Sequence, residues 1–340
     1  MNHCSVRFAL SFFLLWTGWT GQAMARDDCN RSPSEVARLV EIRPGYHRVS
    51  GPLAEFDPCH ASFRYAMPDF FASKLGEKPP LMIIAHGGGG PGAAEIEMMR
   101  RMNKAGIATL LFDAYEMNGF AYKGTMLFVL GVTNESRQRM IYKATLGAYQ
   151  WAIKQPEIDT TRIFIHGLSN GGSVAVNMAG VVDPAHVPAV IAEGASPTGL
   201  GFPLKINVPL KMVFGRLDNY GGKTPDDWMY TRTDPCEFNV EFKLAPPGLA
   251  ADCSGKRNPQ AMVTTPLAWV DSLLSQNQPV EVWFYENAAH GILFVPMKKE
   301  TRTYGVGPDA KFRYGWTGSS YQVADRYIAD ILKLIRSSYL

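Results

Sequence analysis

No Cys-x-x-Cys pair and no His-x-x-x-His spacing occur in the 340 residues, so no zinc ribbon or helical metal clamp is written into the chain. Charge of one sign is scarce: 34 Lys and Arg against 31 Asp and Glu leave a formal charge of +3. Spread evenly, that offers no basic stripe for nucleic acid and no patch for an anionic membrane surface. Internal repeats, charge blocks and low-complexity tracts are missing. No glycine-rich loop ends in Gly-Lys-Ser/Thr, which argues against a phosphate cradle. No apolar run reaches the roughly 20 residues that a membrane-spanning helix needs.

The short apolar run that does exist, Phe8 to Trp16, follows the lone Arg7 and leads into small and polar residues ending Ala23-Met24-Ala25. That is the layout of a secretory signal peptide. Cleavage is expected after Ala25, with export to the periplasm or the medium and a remaining domain of residues 26–340. Cys4 precedes the apolar core, which argues against a lipoprotein anchor. Beyond it stand Cys29, Cys59, Cys236 and Cys253, an even number in a chain sent to an oxidising compartment. They read as staples rather than metal ligands. Four cysteines allow three pairings, and proximity favours Cys29–Cys59 and Cys236–Cys253, each stabilising by about 3 kcal/mol in the chain-entropy account.

Along the chain, residues 26–78 are rich in Pro, Gly and polar residues. Their short pieces Gly45 to Val49 and Ser62 to Tyr65 suit antiparallel strands at the edge of a sheet. After Pro79-Pro80 comes an unbroken apolar run, Leu81 to Ala85, and further candidate strands follow at Ile107 to Phe112, Arg162 to Ile165, Ala189 to Ala192, Leu210 to Phe214 and Val280 to Tyr285. Such runs indicate strands covered on both faces. Helical spacing appears between them, above all from about Asn134 to Gln155, and again from about Tyr321 to Ile335. The alternation predicts an α/β fold: a mostly parallel, doubly wound sheet with helices on both faces. From Asn219 to Thr265 the pattern breaks into a segment with five prolines, Trp228, Tyr230, Cys236 and Cys253. This reads as an inserted, disulfide-bearing segment (219–265) and a candidate lid.

The chemistry gathers where the strands end. Arg162-Ile163-Phe164-Ile165-His166-Gly167-Leu168-Ser169-Asn170-Gly171-Gly172 reads as strand, Gly-x-Ser-x-Gly, then helix, the setting of a nucleophile elbow. Ser169 is the expected nucleophile. A serine hydroxyl needs an adjacent base oriented by a carboxylate. His290, the sole histidine after residue 186, sits in the small-residue loop Asn287 to Gly291 and is the expected base. Asp218, after the strand Leu210 to Phe214, is the expected acid. Glu193 is its main competitor, with Asp226, Asp227 and Asp271 behind. The order Ser, acid, His is that of an α/β-hydrolase. Oxyanion donors are expected from Asn170 and from the run His86-Gly87-Gly88-Gly89, at Gly87 and Gly88. His86 and His166 read as structural. Tyr115, Glu116, Phe120, Trp228 and Tyr230 either line the pocket or simply pack. No cofactor or metal is required, and nothing in the sequence speaks to oligomeric state.

The chain resembles the α/β-hydrolase superfamily over most of Leu81 to Leu340, and more narrowly the dienelactone hydrolase-like family. The likeness rests on Ala85 to Gly90, Ala105 to Asp113, Gly167 to Gly172 and Ala289-His290-Gly291. The resemblance implies a serine carboxylic-ester hydrolase working through an acyl-enzyme. One departure bears on substrate: enzymes that open dienelactones carry cysteine where this chain has Ser169. A secreted serine peptidase, or an esterase of polyesters or polysaccharides, fits the same fold. A hydrolase fold that only binds a partner is the reading from a different class, and the complete Ser–Asp–His order argues against it.

Overall fold

The computed structural model describes residues 38–43, 46–50, 53–68, 77–120, 132, 134–197, 199–221, 228–231, 265–304 and 311–338. The expected signal peptide (1–25), Cys4, Cys29, Cys236, Cys253 and most of the insertion 219–265 lie outside them; Cys59 is disulfide-bonded. In chain order, Arg38–Arg43 (β1) and Tyr46–Ser50 (β2) pair antiparallel, and Arg64–Ala66 (β3) follows. Leu81–Ala85 (β4), the helix Ala93–Lys104 (α1), Ala108–Leu111 (β5) and the one-turn helix Ala114–Met117 (α2) come next. The long helix Asn134–Ala152 (α3) leads to Ile163–Leu168 (β6), Asn170–Ala179 (α4), Ala189–Glu193 (β7) and Leu210–Gly215 (β8). Pro266–Ser275 (α5), Val280–Tyr285 (β9), Lys298–Tyr304 (β10), Lys311–Thr317 (β11) and Tyr321–Ser337 (α6) complete the described elements.

Seven strands form one sheet in the order β3-β5-β4-β6-β7-β8-β9. Only β3 runs antiparallel, against β5; every other neighbour is parallel. The apolar runs are explained by a core on each face. Leu81, Ile83, Ile165, Val190 and Met212 pack beneath α2, α3, α4 and α5. Their alternates Met82, Ile84, Phe164, Ile191 and Val213 pack beneath α1 and α6. The fold class is therefore the doubly wound, mostly parallel sheet that the periodicity indicates.

Two details differ from the sequence reading. Tyr46–Ser50 pairs with β1 in a sheet of its own, leaving β3 alone at the edge of the main sheet. The antiparallel hairpin of β10 and β11, between His290 and α6, is unannounced in the sequence. Its Lys-Lys-Glu-Thr-Arg-Thr-Tyr sequence shows no apolar alternation to betray it.

The sheet order also fixes where a site belongs. The chain steps outward from β4 to β5, then returns to the other side of β4 with β6. Crevices in open α/β sheets lie outside the carboxyl ends of the strands at such a reversal. The loop from His86 leaves β4 there, and Ser169 leaves β6 beside it.

Candidate active site

Ser169 joins β6 to α4 with φ 59° and ψ −115°, a left-handed conformation that costs a non-glycine residue about 1–3 kcal/mol. The surroundings force it. The Ser169 N–H donates to the Glu193 carbonyl (2.8 Å) and the Ser173 N–H to the Ser169 carbonyl (3.0 Å). A Cβ on Gly167 would overlap the Gly171 carbonyl, and one on Gly171 would overlap the carbonyl of Ala85. So the glycines of Gly-x-Ser-x-Gly are needed because three backbones meet there, and α4 starts directly behind the serine with its unpaired N–H groups facing it.

Asp218 follows β8 in a turn closed by its own N–H on the Gly215 carbonyl (3.1 Å). Its Oδ2 lies 2.9 Å from His290 Nδ1, and the two residues are 1 % and 4 % exposed. Its Oδ1 accepts the N–H of Tyr220 (3.2 Å). The Tyr220 ring lies flat on the imidazole, with centroids 4.5 Å apart and planes 4° apart. On another side Gly194 (φ 56°) leaves no room, since a Cβ there would sit 2.8 Å from His290 Cε1. The ring is thus clamped, and its Nε2 is buried with no hydrogen-bond partner among the described residues.

Glu193, the rival acid, is spent elsewhere. Its Oε1 accepts the Ile292 N–H (2.5 Å), and its Oε2 lies 3.4 Å from His166 Nε2, which also meets the Tyr327 hydroxyl at 2.8 Å. Burial, with Glu193 nearby, raises the Tyr327 hydroxyl well above its ordinary pKa, so it stays protonated. Asp271 is exposed on α5, and Asp226 and Asp227 lie outside the described residues. Asp218 is the carboxylate that His290 meets.

The glycine loop after β4 is held from both sides. Its His86 Nε2 accepts the Ala114 N–H (3.0 Å), so Nδ1 carries the proton and donates to the Gly87 carbonyl (2.7 Å). The Gly87 N–H donates to Glu95 Oε1 (3.0 Å). Of the three expected donors, Gly87 thus has its N–H on a carboxylate in this structure. The N–H groups of Gly88 and Asn170 make no hydrogen bond among the described residues.

Of the residues weighed as pocket lining, Tyr115 is fully buried with its ring edge-on to His86 (4.9 Å), and burial raises its hydroxyl pKa. Tyr230 and Trp228 pack on the core beside Phe214, while Phe120 is half-buried and Glu116 exposed. Sequence reasoning missed Tyr220, Glu95 and the β11 hairpin, whose Trp316 carbonyl accepts the His290 N–H (3.2 Å). Only Tyr220, two residues after Asp218, carried a positional hint.

No protein-family model matches the chain, and no curated protein matches it either. Solved structures do resemble it. A dienelactone hydrolase-like promiscuous phosphotriesterase from metagenomic libraries is 15 % identical, with a TM-score of 0.47 over 84 % of this chain and 96 % of that one. The dienelactone hydrolase from Anabaena variabilis is 15 % identical, with a TM-score of 0.40 over 69 % and 83 %. An acylaminoacyl peptidase in complex with Z-Gly-Gly-Phe-chloromethyl ketone is 16 % identical, with a TM-score of 0.42 over 69 % and 36 %. At such identities the likeness is one of fold. With its own sheet ordered in this way around a strand–serine–helix elbow, the chain belongs to the α/β-hydrolase fold.

Proposed function

We propose that this protein is an exported serine hydrolase that cleaves carboxylic esters through an acyl-enzyme, with Ser169, His290 and Asp218 as its triad. The observation that carries this reading is the buried Asp218–His290 pair, 2.9 Å apart, whose remaining ring nitrogen is unpartnered at the sheet end where Ser169 stands. Nε2 takes the Ser169 proton as Oγ adds to the ester carbonyl, and then returns it to the departing alkoxide. Asp218 keeps the imidazole proton on Nδ1 and stabilises the imidazolium. The N–H groups of Gly88 and Asn170 receive the oxyanion. Water, deprotonated by the same Nε2, adds to the acyl carbonyl, and the proton returns to Ser169 Oγ as the carboxylic acid departs. No step calls on a metal or a cofactor.

The hydroxyl nucleophile points to ordinary carboxylic esters rather than dienelactones. A panel of short-chain p-nitrophenyl esters and peptide p-nitroanilides tests this. Higher kcat/KM on the esters is expected; higher kcat/KM on the anilides would instead establish the peptidase that shares the fold.

A further inference from the structure

A run of glycines has no side chains to hold its peptide planes, yet an oxyanion donor works only if it is fixed before the charge develops. The loop after β4 meets this difficulty with a residue outside the loop. Glu95, in the first turn of α1, is 3 % exposed and uses both oxygens on backbone: Oε1 accepts the Gly87 N–H (3.0 Å) and Oε2 the Gly92 N–H (2.9 Å). A Cβ on Gly87 would lie 3.6 Å from Glu95 Oε1 and 3.7 Å from Ser169 Cβ, so the loop runs between the carboxylate and the nucleophile.

The consequence follows from peptide geometry. The Glu95 bond fixes the peptide group that ends in the Gly87 nitrogen. The next group joins the Gly87 carbonyl to the Gly88 nitrogen, and its carbonyl is held by His86 Nδ1–H (2.7 Å) and by the Gly90 N–H (3.1 Å). The peptide is planar and trans, so a carbonyl held on one side points the Gly88 N–H to the other. With Glu95 gone, the peptide that ends in the Gly87 nitrogen loses its hold, and the Gly88 amide is restrained only through the Gly87 carbonyl, by His86 and Gly90.

We propose that Glu95 is a positioning residue for catalysis, holding the glycine loop so that the Gly88 N–H is preorganised for the oxyanion. It touches no reacting atom. This rests on the acyl-transfer reading above, and its signature differs from that of a residue needed only for folding. Losing one fixed oxyanion donor costs on the order of 10²–10³-fold in kcat. Glu95→Ala loosens that donor rather than removing it, so kcat is expected to fall by about tenfold, short of the full loss, with KM little changed. Affinity for an alkyl boronic acid, which forms a tetrahedral adduct on the serine, should fall in parallel with kcat/KM.

Glu95→Gln, with one acceptor oxygen for two N–H groups, should show a smaller loss in the same direction, and it decides the matter if the alanine variant does not fold. Wild-type kcat and boronate affinity in a folded Glu95→Ala, or failing that in Glu95→Gln, overturn the proposal. Ser169→Ala is run alongside. If it is inactive while Glu95→Ala behaves as wild type, only the positioning role fails; if Ser169→Ala still turns over ester, the parent reading fails with it.

Discussion

Replacing His290 with alanine is expected to cut kcat on p-nitrophenyl esters by about 10⁶-fold with KM little changed, because members of a triad act as a unit. The prediction is this steep because nothing nearby can substitute. Both ring nitrogens of His86 are committed, one to the Ala114 N–H and the other to the Gly87 carbonyl. The Nε2 of His166 faces Glu193 and the Tyr327 hydroxyl, with Tyr327 and Glu193 packed on the far side of the sheet from α4. Only His290 combines a carboxylate partner with a buried, unpartnered Nε2 among the described residues. The residual rate should reflect oxyanion donors and binding alone, about 10³–10⁴-fold over water. A loss of less than tenfold would mean another base serves the serine.

Asp218→Asn should be nearly as severe, costing on the order of 10⁴-fold in kcat, and here the geometry says why. Oδ1 of Asp218 accepts the Tyr220 N–H, while Oδ2 meets His290 Nδ1. An asparagine has one oxygen for these two places. The Tyr220 N–H claims it, since it can only donate, and the new NH₂ then faces Nδ1. That nitrogen must now accept, which moves the ring proton to Nε2, where it blocks removal of the serine proton. The fold should be intact, because shape and volume are kept. Thermal unfolding close to wild type together with the rate loss would agree with this; a folded variant within tenfold of wild type would show that the carboxylate does not set the tautomer.

The central strands were legible because helices cover both of their faces, so that they read as mostly apolar runs such as Leu81–Ala85 and Ala189–Ala192. The elbow was legible because three backbones converge on Ser169 and leave room only for glycine at 167 and 171. What the sequence left open depends on contacts between distant segments. Glu193 ends β7 and Asp218 lies in the turn after β8, both at the same end of the sheet, and only the 2.9 Å contact to His290 separates them. Gly87 and Gly88 look alike as donors until Glu95, eight residues on, is seen to take the N–H of one. Tyr220 stacks on an imidazole 70 residues away in sequence (290 minus 220), and no local pattern announces that pairing. The β10 strand, Lys298 to Tyr304, has no apolar alternation to read.

The central claim is that Ser169 is an activated nucleophile. Intact-mass measurement after treatment with a fluorophosphonate, followed by peptide mapping, tests it most directly. One adduct per chain is expected, on the peptide containing Ser169, absent from Ser169→Ala and formed far more slowly in His290→Ala. A folded wild-type protein that takes up no label, or a label that persists in Ser169→Ala, would contradict the account.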